Sequence, residues 1–329
     1  MSLEDLRHCR VLVTPTSFGR HDKRLCQELE SMVGKVVYND RGRPLDSGEL
    51  QELLPGCDGF IAGLDCIDNA ALASADRLRV IARYGVGVDN IDLDAAAKRK
   101  ITVTNTPHAN ATSVAELTIA LLLALARSIP ESVEAVREGE WPRLHGKVLE
   151  GKVFGLIGFG TVGKAVARRL QAWQLTLLAC DPLGDATAAE SLGVRLVKMD
   201  ELIRESDFIS LHAPLLAETR CMVNPDFFAR VKPGAFLINT ARGGIVDEGA
   251  LLQALDSGQL GGAALDVYQK EPPPADSPLR RHPKVIAMPH CAAHTDGAAD
   301  RMGRQSLHDC LAVLRGETPL YPVTLGVAA

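Results

Sequence analysis

The chain has no C-x-x-C pair: Cys9, Cys26, Cys57, Cys66, Cys180, Cys221, Cys291 and Cys310 are scattered singly. Several lie in apolar stretches, which argues against a disulfide framework and suits reduced thiols in a cytoplasmic protein. Long basic runs are missing too. None exceeds Lys98-Arg99-Lys100 and the net charge is −5, so neither nucleic acid nor a membrane surface is expected as a partner. The opening MSLEDLRHCR lacks the apolar core of a signal peptide. The longest apolar stretch, residues 117–126, is too short to span a bilayer. No internal repeat or low-complexity tract is visible. What remains is an ordinary globular composition, 46% hydrophobic over 329 residues, long enough for two cored domains.

Short apolar runs alternate with helical patterns from the start. Residues 11–14, 35–38, 59–62, 80–83 and 101–103 read as strands, with helices near 22–32, 48–53, 69–75 and 93–100 between them. That alternation predicts an α/β fold on a parallel, doubly wound sheet. Residues 110–129 form a long apolar helix pattern that Pro130 is expected to end. The Trp-containing segment 131–150 has no pattern that places it. A second alternating series begins at Val153, with strands at 175–180, 194–197, 207–211, 235–239, 262–265 and 285–287 and a last helix at 296–315. Asn224-Pro225 and Asp247-Glu248 mark helix starts within it.

That second series opens on GKVFGLIGFGTVGKAVARRLQAWQLTLLACD, residues 151–181. An apolar strand breaks at Gly158-Phe159-Gly160-Thr161-Val162-Gly163, and apolar residues then recur at helical spacing. Gly158 permits the tight turn, Gly160 lets a pyrophosphate approach, and Gly163 lets the helix pack on the strand. The bare N–H groups of the helix start at Thr161 and Val162 then face the phosphates. Asp181 closes the next strand about 20 residues on, where a ribose-binding carboxylate is expected. Its charge would repel a 2′-phosphate, so NAD is the expected cofactor. The alternative is a plain turn residue, since Pro182 comes next.

Three later strands end in residues that chemistry can use: Arg242 after one, Asp266 and Glu271 after another, His290 after a third. Ligands of open α/β sheets gather outside the carboxyl ends of strands, so these four can converge in one crevice. Their types match oxidation of a hydroxy acid. His290 can take the hydroxyl proton and return it, and Glu271 can orient the ring and stabilise the imidazolium. Arg242 offers a planar charged fork to a carboxylate or a polarised carbonyl. Singly, each reads as a surface charge, a loop carboxylate or a structural histidine; their placement after successive strands sets them apart.

Taken with Arg83-Tyr84-Gly85-Val86-Gly87-Val88-Asp89-Asn90-Ile91-Asp92, His212-Ala213-Pro214-Leu215, Asn239-Thr240-Ala241-Arg242-Gly243, Leu265-Asp266-Val267, Glu271-Pro272 and Pro289-His290, the chain resembles the D-isomer-specific 2-hydroxyacid dehydrogenase family over nearly its whole length. The resemblance implies catalytic roles for Arg242, Glu271 and His290, and a substrate-carboxylate loop at Val86 and Gly87. It places Asp266 on the nicotinamide amide and puts His212, Pro214, Thr219, Thr240, Ala241 and His290 around the cofactor. It implies two doubly wound parallel-sheet domains, the second a Rossmann dinucleotide-binding domain inserted in the first. Residues 1–104 and 295–329 would form the substrate domain and 105–294 the NAD-binding domain. A homodimer through the latter is implied as well.

Leu216 departs from the family pattern, which usually has Thr after the His-x-Pro-Leu motif; Thr219 conforms. His294, four residues past His290, suggests a metal pair, but no third ligand is evident, and a substrate-selectivity or structural role is preferred. Cys291 reads as a small buried filler. The expected activity is NAD-dependent hydride transfer with a D-2-hydroxy or 2-oxo acid, in a short phosphoglycerate-dehydrogenase-like branch with no room for a regulatory domain after Val323. The alternatives are a glyoxylate/hydroxypyruvate reductase and, from another class, an NAD-sensing corepressor-like binding protein. Formate dehydrogenase is disfavoured because it carries Gln where Glu271 stands. Arg83 hints at a second anionic group on the substrate, as in a 3-phosphoglycerate-like molecule. It can equally pair with Asp89 or be solvated.

Overall fold

Two separate parallel sheets carry the chain in this computed structural model, which describes residues 3–324. Residues 325–329, expected in the substrate domain, lie outside the described residues. The chain divides into one unit of Met1–Asn110 with Ala293–Ala329 and a second of Ala111–Ala292.

In the first unit five strands, β1 (Arg10–Val13), β2 (Lys35–Tyr38), β3 (Gly59–Ala62), β4 (Val80–Arg83) and β5 (Thr102–Thr104), are ordered β2-β1-β3-β4-β5 and all pair in parallel. β3 and β4 are buried along their whole length, as central strands covered on both faces must be. Leu25 and Leu29 from helix Arg24–Met32 share one core with Met302 and Leu311 from helix Asp296–Leu314. Leu50, Leu72 and Ala95, from helices Ser47–Leu53, Asn69–Ala73 and Leu93–Lys98, share another. Asp46, Asp68 and Asp92 cap those three helices by accepting N–H groups of their first turns. Past the last helix, Thr104 bridges Pro322, and the buried Asp309 carboxylate accepts the N–H groups of Leu320 (2.9 Å) and Tyr321 (3.0 Å).

The second unit holds β6 (Val153–Ile157), β7 (Thr176–Cys180), β8 (Val194–Leu196), β9 (Phe208–Leu211), β10 (Ala235–Asn239), β11 (Leu260–Leu265) and β12 (Val285–Ala287). Their order is β12-β11-β10-β9-β6-β7-β8, again all parallel. The strand order reverses between β6 and β9, the position at which doubly wound sheets hold dinucleotides. Both sheets agree with the α/β, doubly wound expectation.

One expectation fails at Pro130. The long helix stops earlier, spanning Ala111–Ala126, and Ser128 turns left-handed. Pro130 then sits in the first turn of a new helix, Ile129–Arg137, where its missing N–H costs nothing. The unplaced segment 131–150 therefore begins as helix. Among the described residues no single helix is long and apolar enough to cross a membrane.

Candidate active site

The glycine turn behaves as its spacing requires. Gly158 has a φ of +97°, and a Cβ there would lie 2.6 Å from the His212 carbonyl carbon. A Cβ on Gly163 would meet the Gly158 oxygen at 2.4 Å, so helix Thr161–Leu170 lies against the strand end. A Cβ on Gly160 would meet nothing within 4 Å. That open approach, at the start of a helix led by Thr161 and Val162, fits a pyrophosphate. Asp181 joins this turn to the end of β7, accepting the N–H of Phe159 (2.6 Å) and of Leu183 (2.8 Å). It is thus a turn-holding residue as well as a ribose candidate.

After β9, His212 bonds the buried Ser210 hydroxyl through Nε2 at 3.0 Å. Burial pushes its imidazole down to about 3, so the ring is neutral at pH 7. Beyond Pro214 the Thr219 hydroxyl donates to the Pro214 carbonyl (2.6 Å) and accepts the Leu216 N–H (2.8 Å), which fixes the loop's shape.

The Arg242 turn after β10 is built by a residue that the sequence did not mark as part of the site. Asn239 is fully buried; its Oδ1 accepts the Ala241 N–H at 3.1 Å and its Nδ2 donates to the Arg242 carbonyl at 2.9 Å. Thr240, also buried, shares a 3.0 Å hydroxyl–hydroxyl bond with Thr118. Gly243 brings this turn against the next. A Cβ there would lie 1.9 Å from the carbonyl carbon of Tyr268, at the start of the turn that leads to Glu271. The signal for both was the pairing of a strand-final Asn with a Gly four residues on.

The third side chain comes from beyond β12. His290 Nδ1 lies 2.5 Å from Glu271 Oε2, while Glu271 Oε1 accepts the Tyr268 N–H at 3.0 Å. His290 has a left-handed φ of +53°, a cost that surrounding bonds must hold. Asp266, fully buried, supplies them by accepting the N–H groups of Cys291 (2.8 Å) and Ala292 (2.9 Å). Burial, with Asp266 beside it, raises the Cys291 thiol to about 11, so it stays protonated and is no nucleophile. Arg242, Asp266, Glu271 and His290 thus belong to neighbouring turns at the carboxyl ends of β10, β11 and β12. His294 falls in the first unit.

Arg83, in the first unit, is buried and not solvated. It is only 5% exposed, and its Nε donates to the Gly87 carbonyl at 3.0 Å. Val86 and Gly87, next along the loop, are half-buried.

The family description "D-isomer specific 2-hydroxyacid dehydrogenase, NAD binding domain" matches residues 119–292, nearly all of the second unit, so that unit is an NAD-binding domain. The chain is 41% identical over 296 residues to a D-3-phosphoglycerate dehydrogenase from Sus scrofa, covering 89% of this chain and 55% of that one. It therefore spans about half the length of such relatives. A glyoxylate reductase from Korarchaeum cryptofilum is 39% identical over 82% of this chain and 83% of its own. Among solved structures, D-lactate dehydrogenase from Aquifex aeolicus, complexed with NAD and lactic acid, has a TM-score of 0.82 at 29% identity, covering 93% of this chain and 96% of that one. With the fold, the glycine turn and the histidine–carboxylate pair all in agreement, the chain belongs to the D-isomer specific 2-hydroxyacid dehydrogenase family.

Proposed function

We propose that the protein is an NAD-dependent oxidoreductase that moves a hydride between nicotinamide and a short D-2-hydroxy acid or its 2-oxo acid. The observation that carries this is the 2.5 Å pairing of His290 with Glu271, beside the turn that bears Arg242. NAD, when bound, supplies the hydride chemistry. His290 Nε2 takes the hydroxyl proton during oxidation and returns it to the carbonyl oxygen during reduction. Glu271 holds Nδ1, fixing the tautomer and balancing the imidazolium charge. Arg242 offers its charged fork to the substrate's oxygens. In the first unit, the N–H groups of Val86 and Gly87 form a carboxylate-binding loop. Asp181 takes the adenosine ribose, and Gly160, Thr161 and Val162 take the pyrophosphate. Around them Pro214, Thr219, Thr240, Ala241 and Asp266 line the cofactor.

The test is NADH oxidation by the purified chain against glyoxylate, hydroxypyruvate, phosphohydroxypyruvate and longer 2-oxo acids. NADH binding without turnover on any of them would overturn the enzyme reading in favour of a nucleotide sensor.

A homodimer through the NAD-binding unit accompanies this reading. Ile129, Val133 and Val136 are exposed along one helix, followed by Trp141 at 80% exposure, Leu144 and Val148. So many large apolar groups on one segment fit a surface that a second copy covers. Light scattering on Trp141→Asp tests it: the parent is expected at twice the 35.3 kDa chain mass and the variant nearer to it. The eight free cysteines are consistent with a reducing cytoplasm, which cell fractionation checks.

A further inference from the structure

The loop that offers its N–H groups to the substrate is fastened through its carbonyls; its role as a receptor rests on the oxidoreductase reading above. In a trans peptide the C=O of one residue and the N–H of the next point to opposite sides. The Gly85 carbonyl accepts the Thr106 N–H at 3.0 Å, which turns the Val86 N–H the other way. The Val86 carbonyl accepts Asn105 Nδ2 at 2.8 Å, which does the same for the Gly87 N–H. Asn105 is itself buried, and its own N–H donates to the Tyr321 carbonyl at 3.2 Å.

Arg83 frames both ends of the loop. Its Nε donates to Gly87, and its Nη1 donates to the Tyr84 carbonyl and, at 3.4 Å, to that of Ala62. A Cβ on Gly85 would stand 2.7 Å from Nη1, so the loop lies directly on the guanidinium. A buried charge must be satisfied where it sits, and these carbonyls contribute to that. Among the described residues, neither the Val86 nor the Gly87 N–H donates to a protein acceptor, and the loop surfaces at these two. Adjacent N–H groups facing one way form an anion-binding concavity.

We propose that Asn105 and Arg83 are positioning residues that hold loop 85–87 as a ready-made receptor for the carboxylate common to all 2-oxo acids, and that Arg83 does not bind the substrate's far end. The first unit then selects for the shared carboxylate, and a phosphate at the other end of the substrate gains nothing from Arg83.

The experiment compares the parent with Asn105→Ala, Arg83→Lys and Arg83→Met on glyoxylate, hydroxypyruvate and phosphohydroxypyruvate, with NADH affinity read by fluorescence. For Asn105→Ala and Arg83→Met, KM is expected to rise about tenfold on all three substrates, kcat to stay within a few-fold, and NADH affinity to hold. Arg83→Lys, which keeps the charge but not the fork, is expected between them and the parent. A loss confined to phosphohydroxypyruvate would make Arg83 a ligand of the far phosphate and overturn the proposal. Equal damage to NADH affinity and kcat would reduce both residues to general structural roles and overturn it as well. Should Arg83→Met fail to fold, Asn105→Ala decides through oxamate binding to the NADH complex: about tenfold weaker supports the proposal, unchanged overturns it. A parent inactive on every 2-oxo acid fails the oxidoreductase reading itself, a result separable from all of these.

Discussion

His290 Nδ1 sits 2.5 Å from Glu271 Oε2, and the same carboxylate's other oxygen holds the Tyr268 N–H. Glu271 thus ties the ring to its own turn, and the ring can work only through Nε2. The backbone of His290 is set independently, through the bonds from Cys291 and Ala292 to Asp266. Ring and backbone therefore have separate anchors, and substitutions can distinguish them.

Replacing His290 by Asn removes the proposed proton carrier and leaves the glycine turn untouched. Turnover is expected to fall about 10²–10⁴-fold while NADH binding survives. Steady-state rates together with a fluorescence titration check both halves. Turnover within a few-fold of the parent would remove His290 from the chemistry.

Gly243→Ala probes the packing between the two turns. The added methyl would stand 1.9 Å from the Tyr268 carbonyl carbon, so the segment leading to Glu271 must shift. Overpacking of this kind costs roughly 1–3 kcal/mol, occasionally more. Calorimetry is expected to show a lowered Tm, and kcat is expected to fall further than KM changes. A variant with parental kcat would show that the Arg242 and Glu271 turns need not touch.

Asp181→Ala is expected to lower the ratio of catalytic efficiencies for NAD over NADP, because it removes the proposed ribose partner and a charge that would repel a 2′-phosphate. It also frees the Phe159 and Leu183 N–H groups, so some loss with both cofactors accompanies the change. An unmoved ratio would leave Asp181 with only its turn-holding role.

His212 gives the pH dependence. An ordinary imidazole takes its proton near pH 6.5, whereas His212 does so only near about 3. Between those values the unfolded chain binds a proton that the folded chain refuses, so stability falls as pH drops below about 6.5. His212→Gln removes this contribution, whose slope is at most about 1.4 kcal/mol per pH unit. Urea unfolding at pH 7, 6 and 5 is expected to show the parent losing stability faster than the variant. Parallel curves would mean that His212 titrates normally.

Much of this was legible in the sequence because buried parallel strands are written as compact apolar runs. β2, β3, β4, β10 and β12 have the ends their composition suggests, and the last helix misses by a single residue. Pro130 misled because a proline that stops one helix also suits the first turn of the next. The glycine turn could be read because each glycine has its own steric reason. Asn105 could not, since its amide holds the carbonyl of Val86 on a separate loop, whereas Asn239 bonds only its own turn. Arg83 shows the limit most sharply: its charge is legible in the sequence, but its burial and its bond to the Gly87 carbonyl come only with the fold.

The tie from Asp309 to Leu320 and Tyr321, with the Thr104–Pro322 bridge beyond it, has a consequence for the order of assembly. The unit that starts the chain needs helix Asp296–Leu314 for one core and residues near 320 for the flank of its last strand. The inserted unit has all seven strands in hand by Ala287. During synthesis the part made first therefore matures last, as domains generally fold as units once complete. Chains truncated after residue 295 are expected to yield a protease-resistant core beginning near residue 111, while residues 1–110 are digested; survival of the leading segment would show that it folds without its distant half.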